Sequence, residues 1–282
     1  IRYDGAGNIV EMDSGSSGDG GWWTYDGLSR VTASSIWVGG QQTGQSFDYD
    51  GFGNITTIST DGVLRSLYPS ATTNRMSGAG YDPAGRMTSW GDGSTTYNYG
   101  WHPTGGMRSL VGGGHDITFA YDGNGERIAS MDASAGGVNR FTIRDLNGNV
   151  LRVFEEDGGS WAWKQDYIYS GNLVIATVDP TAVRHFHLDH LGTPRLITDG
   201  SGSSVAEHSY YPFGEEATNA TQDSEKKKFT GHERDLWDTA YTTDDLDYMH
   251  ARYYNPNLGR FLSVDPATAH PGPSRCWNRY SY

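Results

Sequence analysis

The chain has 282 residues, 39 of them glycine, with 13% aromatic residues, 20% charged residues and a formal charge of −13. That acidic balance argues against the basic groove a nucleic-acid partner needs, and the aromatic content argues against disorder. Glycine and aromatics together suit short strands joined by tight turns rather than helices.

The chain opens on "YDGAGN" at residues 3–8 and repeats the phrase as "YDGLSR" at 25–30, "YDGFGN" at 49–54, "YDPAGR" at 81–86 and "YDGNGE" at 121–126. Its chemistry is that of a hairpin with a loop of three to five residues. The tyrosine ends a strand, the aspartate bonds turn amides, and glycine or asparagine accepts a positive φ. Worn copies are "WHPTGGM" (101–107) and "RDLNGNV" (144–150). The first positions run Tyr3, Tyr25, Tyr49, Tyr81, Trp101, Tyr121 and Arg144, then on to Leu188 and Tyr210. The step of 44 residues before Leu188 has room for one degenerate copy around "YIYSGN" (167–172). A unit of about 22 residues holds two strands and two turns. A lone hairpin is unstable in water, so the units must stack and share a buried face.

Alternation supports that face. "TTYNYGW" (95–101), "DITFAYD" (116–122) and "WAWKQDYIY" (161–169) each put aromatics on one side. Packing ladders explain them, and sugar stacking is the alternative. "SGSSGDGG" (14–21) and "SGSS" (201–204) read as loops. The one basic run, Lys226, Lys227 and Lys228, reads as a solvated loop. Helix is expected only as a short turn near "GHERDLWD" (231–238) and in the stretch "DDLDYMHARYY" (244–254). The fold class is therefore all-β, a curved or spiralling sheet of stacked hairpins with a C-terminal plug.

From residue 185 the text becomes specific. "DHLGTPR", "YYPFGE", "FTGHERD", "LDYMHARYYNP", "LGRFLS" and "DP" follow one another over about 80 residues. This ordered series resembles the RHS-associated core domain, and the earlier phrases resemble the YD repeats of the RHS family. On that resemblance the repeat array spans 1–184 and the core domain 185–282. The resemblance implies a hollow shell made by a spiralling β-strip. The shell would enclose a C-terminal polypeptide, often a toxin, with the core closing one end. It also implies an exported bacterial protein, secreted or on the cell surface, that meets a delivery machine.

The same resemblance implies self-cleavage of aspartyl-protease type. Its motif places Arg252, in "ARYY", and Asp265, in "SVDP", in the catalytic centre. A second aspartate and the scissile bond are expected beyond Tyr282. Two carboxylates sharing one proton supply an acid and a base for attack of water on a peptide. An arginine beside them keeps one ionised or steadies the oxyanion. Spacing alone would make the Arg252–Asp265 pair a bridge that pins the plug. The loop "RDLWDTAYTTDDLDY" (234–248) is longer and more acidic than the family's pattern.

Other constellations are weaker. His185, His187 and His190 with Asp189 form an imaginable metal cluster, though a structural role explains them. Asp244, Asp245 and Asp247 lack the glycine and terminal glutamate of an EF-hand and read as a solvated loop. Phosphate-loop, serine-hydrolase and zinc-protease motifs are missing, and no cofactor is expected. Cys276 is the single cysteine, which excludes an intrachain disulfide and a cysteine-based zinc site. No apolar run approaches the roughly 18 residues of a membrane span. Ile1 is not a plausible natural start, so a lost targeting segment is expected. The alternative function is a cell-surface adhesion or carbohydrate-binding array without catalysis.

Overall fold

A computed structural model describes residues 1–13, 20–91, 93–235, 245–266 and 278–282; the side chains of Asp13 and Asp157 are outside the description. Seven strands between Arg2 and Ser66 form one antiparallel sheet, and thirteen between Gly80 and Glu207 form a second. Within each, every strand pairs with its neighbours in sequence, so both sheets are pure meanders. The break between them, residues 67–79, is bridged locally by Pro69 and Met76. A third sheet of four strands lies between Glu233 and Phe261. Among the described residues helix is confined to a 3-10 turn at Phe229–Gly231, and no helix is long and apolar enough to cross a membrane.

The repeated phrase does what its chemistry dictates. Asp50 Oδ1 accepts the backbone N–H of Phe52 and of Asn54, both at 2.9 Å. The Asp50 N–H reaches the Asn54 carbonyl at 3.0 Å, and the Gly53 N–H returns to the Asp50 carbonyl at 3.1 Å. Gly53 sits at φ 80°, where a side chain would strain the backbone. The same pair of backbone bonds closes the turns at Asp4, Asp26, Asp82, His102, Asp122, Asp145 and Asp189. It also closes those at Tyr211 and Lys228, where the aspartate is gone.

A second regularity joins the units. From Tyr3 to Leu188 the first residue of each phrase lies at a shift of strand register, as in a β-bulge, which re-aims its side chain. The Tyr25 hydroxyl donates to the Ile9 carbonyl at 2.8 Å, Tyr49 to Val31 at 2.6 Å, and Tyr121 to Met107 at 2.8 Å. The Trp101 indole donates to Met87 at 2.7 Å, and Arg144 Nε to Arg127 at 2.6 Å. Each acceptor is the residue that follows the preceding phrase. Five units are thus hooked to the one before them. Tyr81 breaks the series, its hydroxyl accepting the Met76 N–H instead, because residues 67–79 intervene.

One face of the strip is buried. Phe47, Ile55 and Ile58 of the first sheet and Met87, Tyr97, Tyr99, Met107, Leu110 and Phe119 of the second meet Leu246, Tyr248, Tyr253, Leu258 and Leu262 in one core. Both sheets contact the same small sheet, so the strip bends around it. A second cluster, from Val150 to Ala206, fills the far end. The aromatics read from alternation at 97, 99, 119 and 167 point into this interior and are not displayed to ligands. The meander crosses residue 185 without a break and ends at Glu207.

The stretch 244–254 is not helical. Leu246–Met249 and Arg252–Asn255 form an antiparallel hairpin, turned by His250 at φ 54°. Leu246 and Tyr248 face the strip core while Asp247, on the opposite side, binds Arg234. That two-sided demand is met by period-two geometry and not by a helix. Glu233–Asp235, in the other stretch expected to turn helically, is a strand; residues 236–244 lie outside the described part.

Candidate functional site

Arg252 begins the second strand of that hairpin. The chain then turns at Pro256–Gly259, runs through Arg260–Phe261 and reaches Asp265. Gly259, at φ 62°, is pressed against Ile55: a Cβ there would lie 2.6 Å from Ile55 Cδ1. The hairpin tip is thereby fixed against the strip. The Leu262 N–H donates to Tyr253, and the Leu262 carbonyl accepts from Met87 of the strip at 2.8 Å. Asp265 is held by its backbone, its N–H on the Arg279 carbonyl at 2.8 Å and its carbonyl on the Arg279 guanidinium.

The structure brings the two sequence-selected residues together. Arg252 Nη2 lies 3.5 Å from Asp265 Oδ2. The guanidinium carbon sits 3.5 Å from the centre of the Phe261 ring, close enough for cation–π attraction. Arg252 Nη1 is buried and makes no hydrogen bond in the described structure. Burial lowers the Arg252 pKa and Asp265 opposes the shift. The Asp265 side chain is 41% exposed, so water reaches its carboxylate. Shared-proton acid–base chemistry requires a second carboxylate beside it.

Several sequence readings fail on the charged residues. The lysine run is not a solvated loop: Lys228 is 0% exposed and bonds Asp223 at 3.0 Å, and Lys227 is buried near Glu225 and Glu233. Asp245 and Asp247 are likewise buried, around Arg234, which holds both oxygens of Asp247 at 2.7 and 2.9 Å. Asp244 lies outside the described residues. In each case an oppositely charged partner turns a polar segment inward. His185 and His187 are exposed on one face of a strand, and His190 sits in the next turn. No group of metal-ligating side chains forms among the described residues.

Sequence reasoning missed the ion pairs that fasten the small sheet to the strip. Arg127 binds Asp235, approaches Glu233 at 3.4 Å, and lies 4.4 Å over the Tyr248 ring. Arg144 binds Glu233 as well. Burial works against the ionised form of Glu233, but Arg144 and Arg127 outweigh it and hold its pKa far below the carboxylate range. Arg65 binds Glu215 at 2.9 Å, joining the first sheet to the segment after the strip. Near the last strand of the strip, fully buried His208 lies between two carboxylates, Nδ1 2.7 Å from Glu216 and Nε2 3.1 Å from Asp223. One signal was available: Arg144 stands where an aromatic residue usually does.

A meander of hooked hairpins packed around a small C-terminal sheet defines a shell of YD repeats. The Teneurin YD-shell family model matches residues 1–271, and the chain belongs to that family. Among curated proteins it is 29% identical over 254 residues to the tRNA3(Ser)-specific nuclease WapA of Bacillus spizizenii, covering 84% of this chain and 10% of that protein. It is 26% identical over 301 residues to the double-stranded DNA deaminase toxin A of Burkholderia cenocepacia, covering 94% and 20%. The chain thus spans a tenth to a fifth of these relatives' lengths. Among solved structures it resembles the TcdB2-TccC3-Cdc42 crystal structure, with a TM-score of 0.75 and 18% identity over 99% of this chain and 16% of that one. The Tc holotoxin pore of Photorhabdus luminescens gives a TM-score of 0.73 and 19% identity, again over 99% and 16%. The shared feature is the fold: an RHS-type, all-β YD shell.

Proposed function

We propose that this chain is a section of an RHS shell that encloses a C-terminal toxin or effector and helps deliver it. The observation that carries this reading is the buried face of the strip, closed by a small sheet fastened through Arg127 and Arg144, with Arg65 bonding Asn257 in its turn. Two relatives named as toxins, a DNA deaminase toxin and a toxin subunit, support it. Residues 185–282 act as the core unit that closes the shell, although their first strands continue the strip. The whole protein is exported and meets a delivery machine, in keeping with relatives such as the toxin subunit YenC1 of Yersinia entomophaga.

Arg252 and Asp265 form half of a self-cleaving centre. Asp265 is the water-reaching carboxylate, and Arg252, braced on Phe261, steadies negative charge. A second aspartate from a following segment completes the pair and takes the shared proton. Attack of water on the scissile carbonyl then frees the enclosed polypeptide.

The test is the intact mass of the complete gene product under denaturing conditions, wild type beside Asp265→Asn. Two fragments in the wild type and one chain in the variant are expected. One uncut chain in both, with sequence continuing past Tyr282, would overturn the protease assignment and leave Asp265 as a pin for the plug.

A further inference from the structure

The three consecutive lysines occupy three different settings. Lys228 is sealed and paired with Asp223. Lys227 is packed toward the Tyr167 ring, 6.0 Å from its centre. Lys226 instead opens, with an 18% exposed side chain, into a half-open cavity of about 560 Å³. Its backbone carbonyl accepts the Arg234 N–H at 2.8 Å, which fixes where the side chain starts.

The electrostatics of Lys226 are unusual for a surface amine. Asp235 Oδ1 is its one ion-pair partner among the described residues, at a long 3.4 Å, and Asp235 Oδ2 is taken by Arg127. Arg140, on the cavity wall, and Arg127 add positive charge, against Asp235 and Glu233. Burial, followed by Arg140, pushes the amine down to about 8. About a tenth of the amine is therefore neutral at pH 7, and it faces a space large enough for a small molecule. This is the environment that converts a lysine into a nucleophile.

We propose that Lys226 is a reactive amine that captures small aldehydes in this cavity as a Schiff base. The amine lone pair attacks the carbonyl carbon, forming the C–N bond. A proton moves from nitrogen to oxygen, giving a carbinolamine. Loss of water then leaves the imine, with no oxidant or reductant consumed. The cavity wall carries both signs of charge, from Arg140 and Lys164 to Glu155 and Asp132, so it selects neither sign of ligand, and an uncharged small aldehyde is the class proposed.

The chain has four lysines, Lys164, Lys226, Lys227 and Lys228, which makes the test clean. The folded chain is treated at pH 7 with propionaldehyde and cyanoborohydride, which traps the imine, and labelling is read by peptide mass mapping. Lys164, with a 41% exposed side chain, is the internal control. An amine titrating near 8 has roughly 250 times more free base at pH 7 than an ordinary lysine. Its lower basicity offsets part of that, so labelling of Lys226 about tenfold faster than Lys164 is expected. The preference should vanish in denaturant. Equal labelling of the two residues in the folded chain, or an unlabelled Lys226, would overturn the proposal.

Discussion

Removing one hook from the strip tests how the units are joined. Tyr49→Phe deletes the hydroxyl that donates to the Val31 carbonyl at 2.6 Å and keeps the ring under Arg30, whose guanidinium lies 4.5 Å from the ring centre. A partly buried acceptor left without its donor costs about 1–2 kcal/mol. For a chain of this size that lowers the melting temperature by roughly 2–6 °C. Tyr49→Leu also removes the ring and its cation–π contact and should cost about 3 kcal/mol or more. Tyr3→Phe is the control. Tyr3 begins a copy of the same phrase but is 57% exposed, so its change should stay within about 0.5 kcal/mol. The assay is thermal unfolding followed by far-ultraviolet circular dichroism. If Tyr49→Phe and Tyr3→Phe are equally mild, the hydroxyl hooks do not hold the units together and the stability rests on ring burial alone.

Ser29 occupies the left-handed turn position, φ 61°, that glycine fills in most copies. Ser29→Gly should therefore raise stability by about 0.5 kcal/mol, whereas Gly53→Ala at φ 80° should lower it by about 1 kcal/mol; urea titration resolves both. His232 is pushed down to about 4, by burial first and then by Lys227 and His250. Its folded pKa lies below the unfolded value near 6.5, so only the unfolded chain takes up the proton between those values. Stability should fall as pH drops from about 6.5 to about 4, by at most about 3 kcal/mol. His232→Gln should flatten that part of the stability–pH curve, and an unchanged curve would refute the assignment.

The strip was legible because its information is local. Asp50, Gly53 and Tyr49 lie within five positions, and each copy repeats the same demands on φ and on turn amides. Strand pairing between sequence neighbours then follows from short loops. The burial of the lysine run was not legible, because Lys227 meets the Tyr167 ring, 60 positions earlier, only after the plug folds back. Arg127 and Asp235 are 108 residues apart, and no spacing rule joins them. The hairpin at 246–255 was misread because "LDYMHARYY" carries apolar residues that suit either period; Asp247, bound to Arg234, decides the issue. Arg252 and Asp265 were selected by family pattern. Their placement in one site owes as much to Phe261 and Gly259, which the pattern carried without a stated role.

The five hooks all point the same way: each hooked unit grips the backbone of the one before it. Such a strip behaves like a zip fastener. Tension applied at the first strand would open it one hairpin at a time, each event freeing about 22 residues, or roughly 75 Å of extended chain. Between events the remaining teeth stay engaged, since no unit holds any but its neighbours. The small sheet changes that at its fastening points, because Arg65, through Asn257, and Arg127 and Arg144, through their acidic partners, tie separate teeth to one body. Opening would halt there until a buried ion pair gave way, so the wall is compliant along its length and stiff where the plug is riveted.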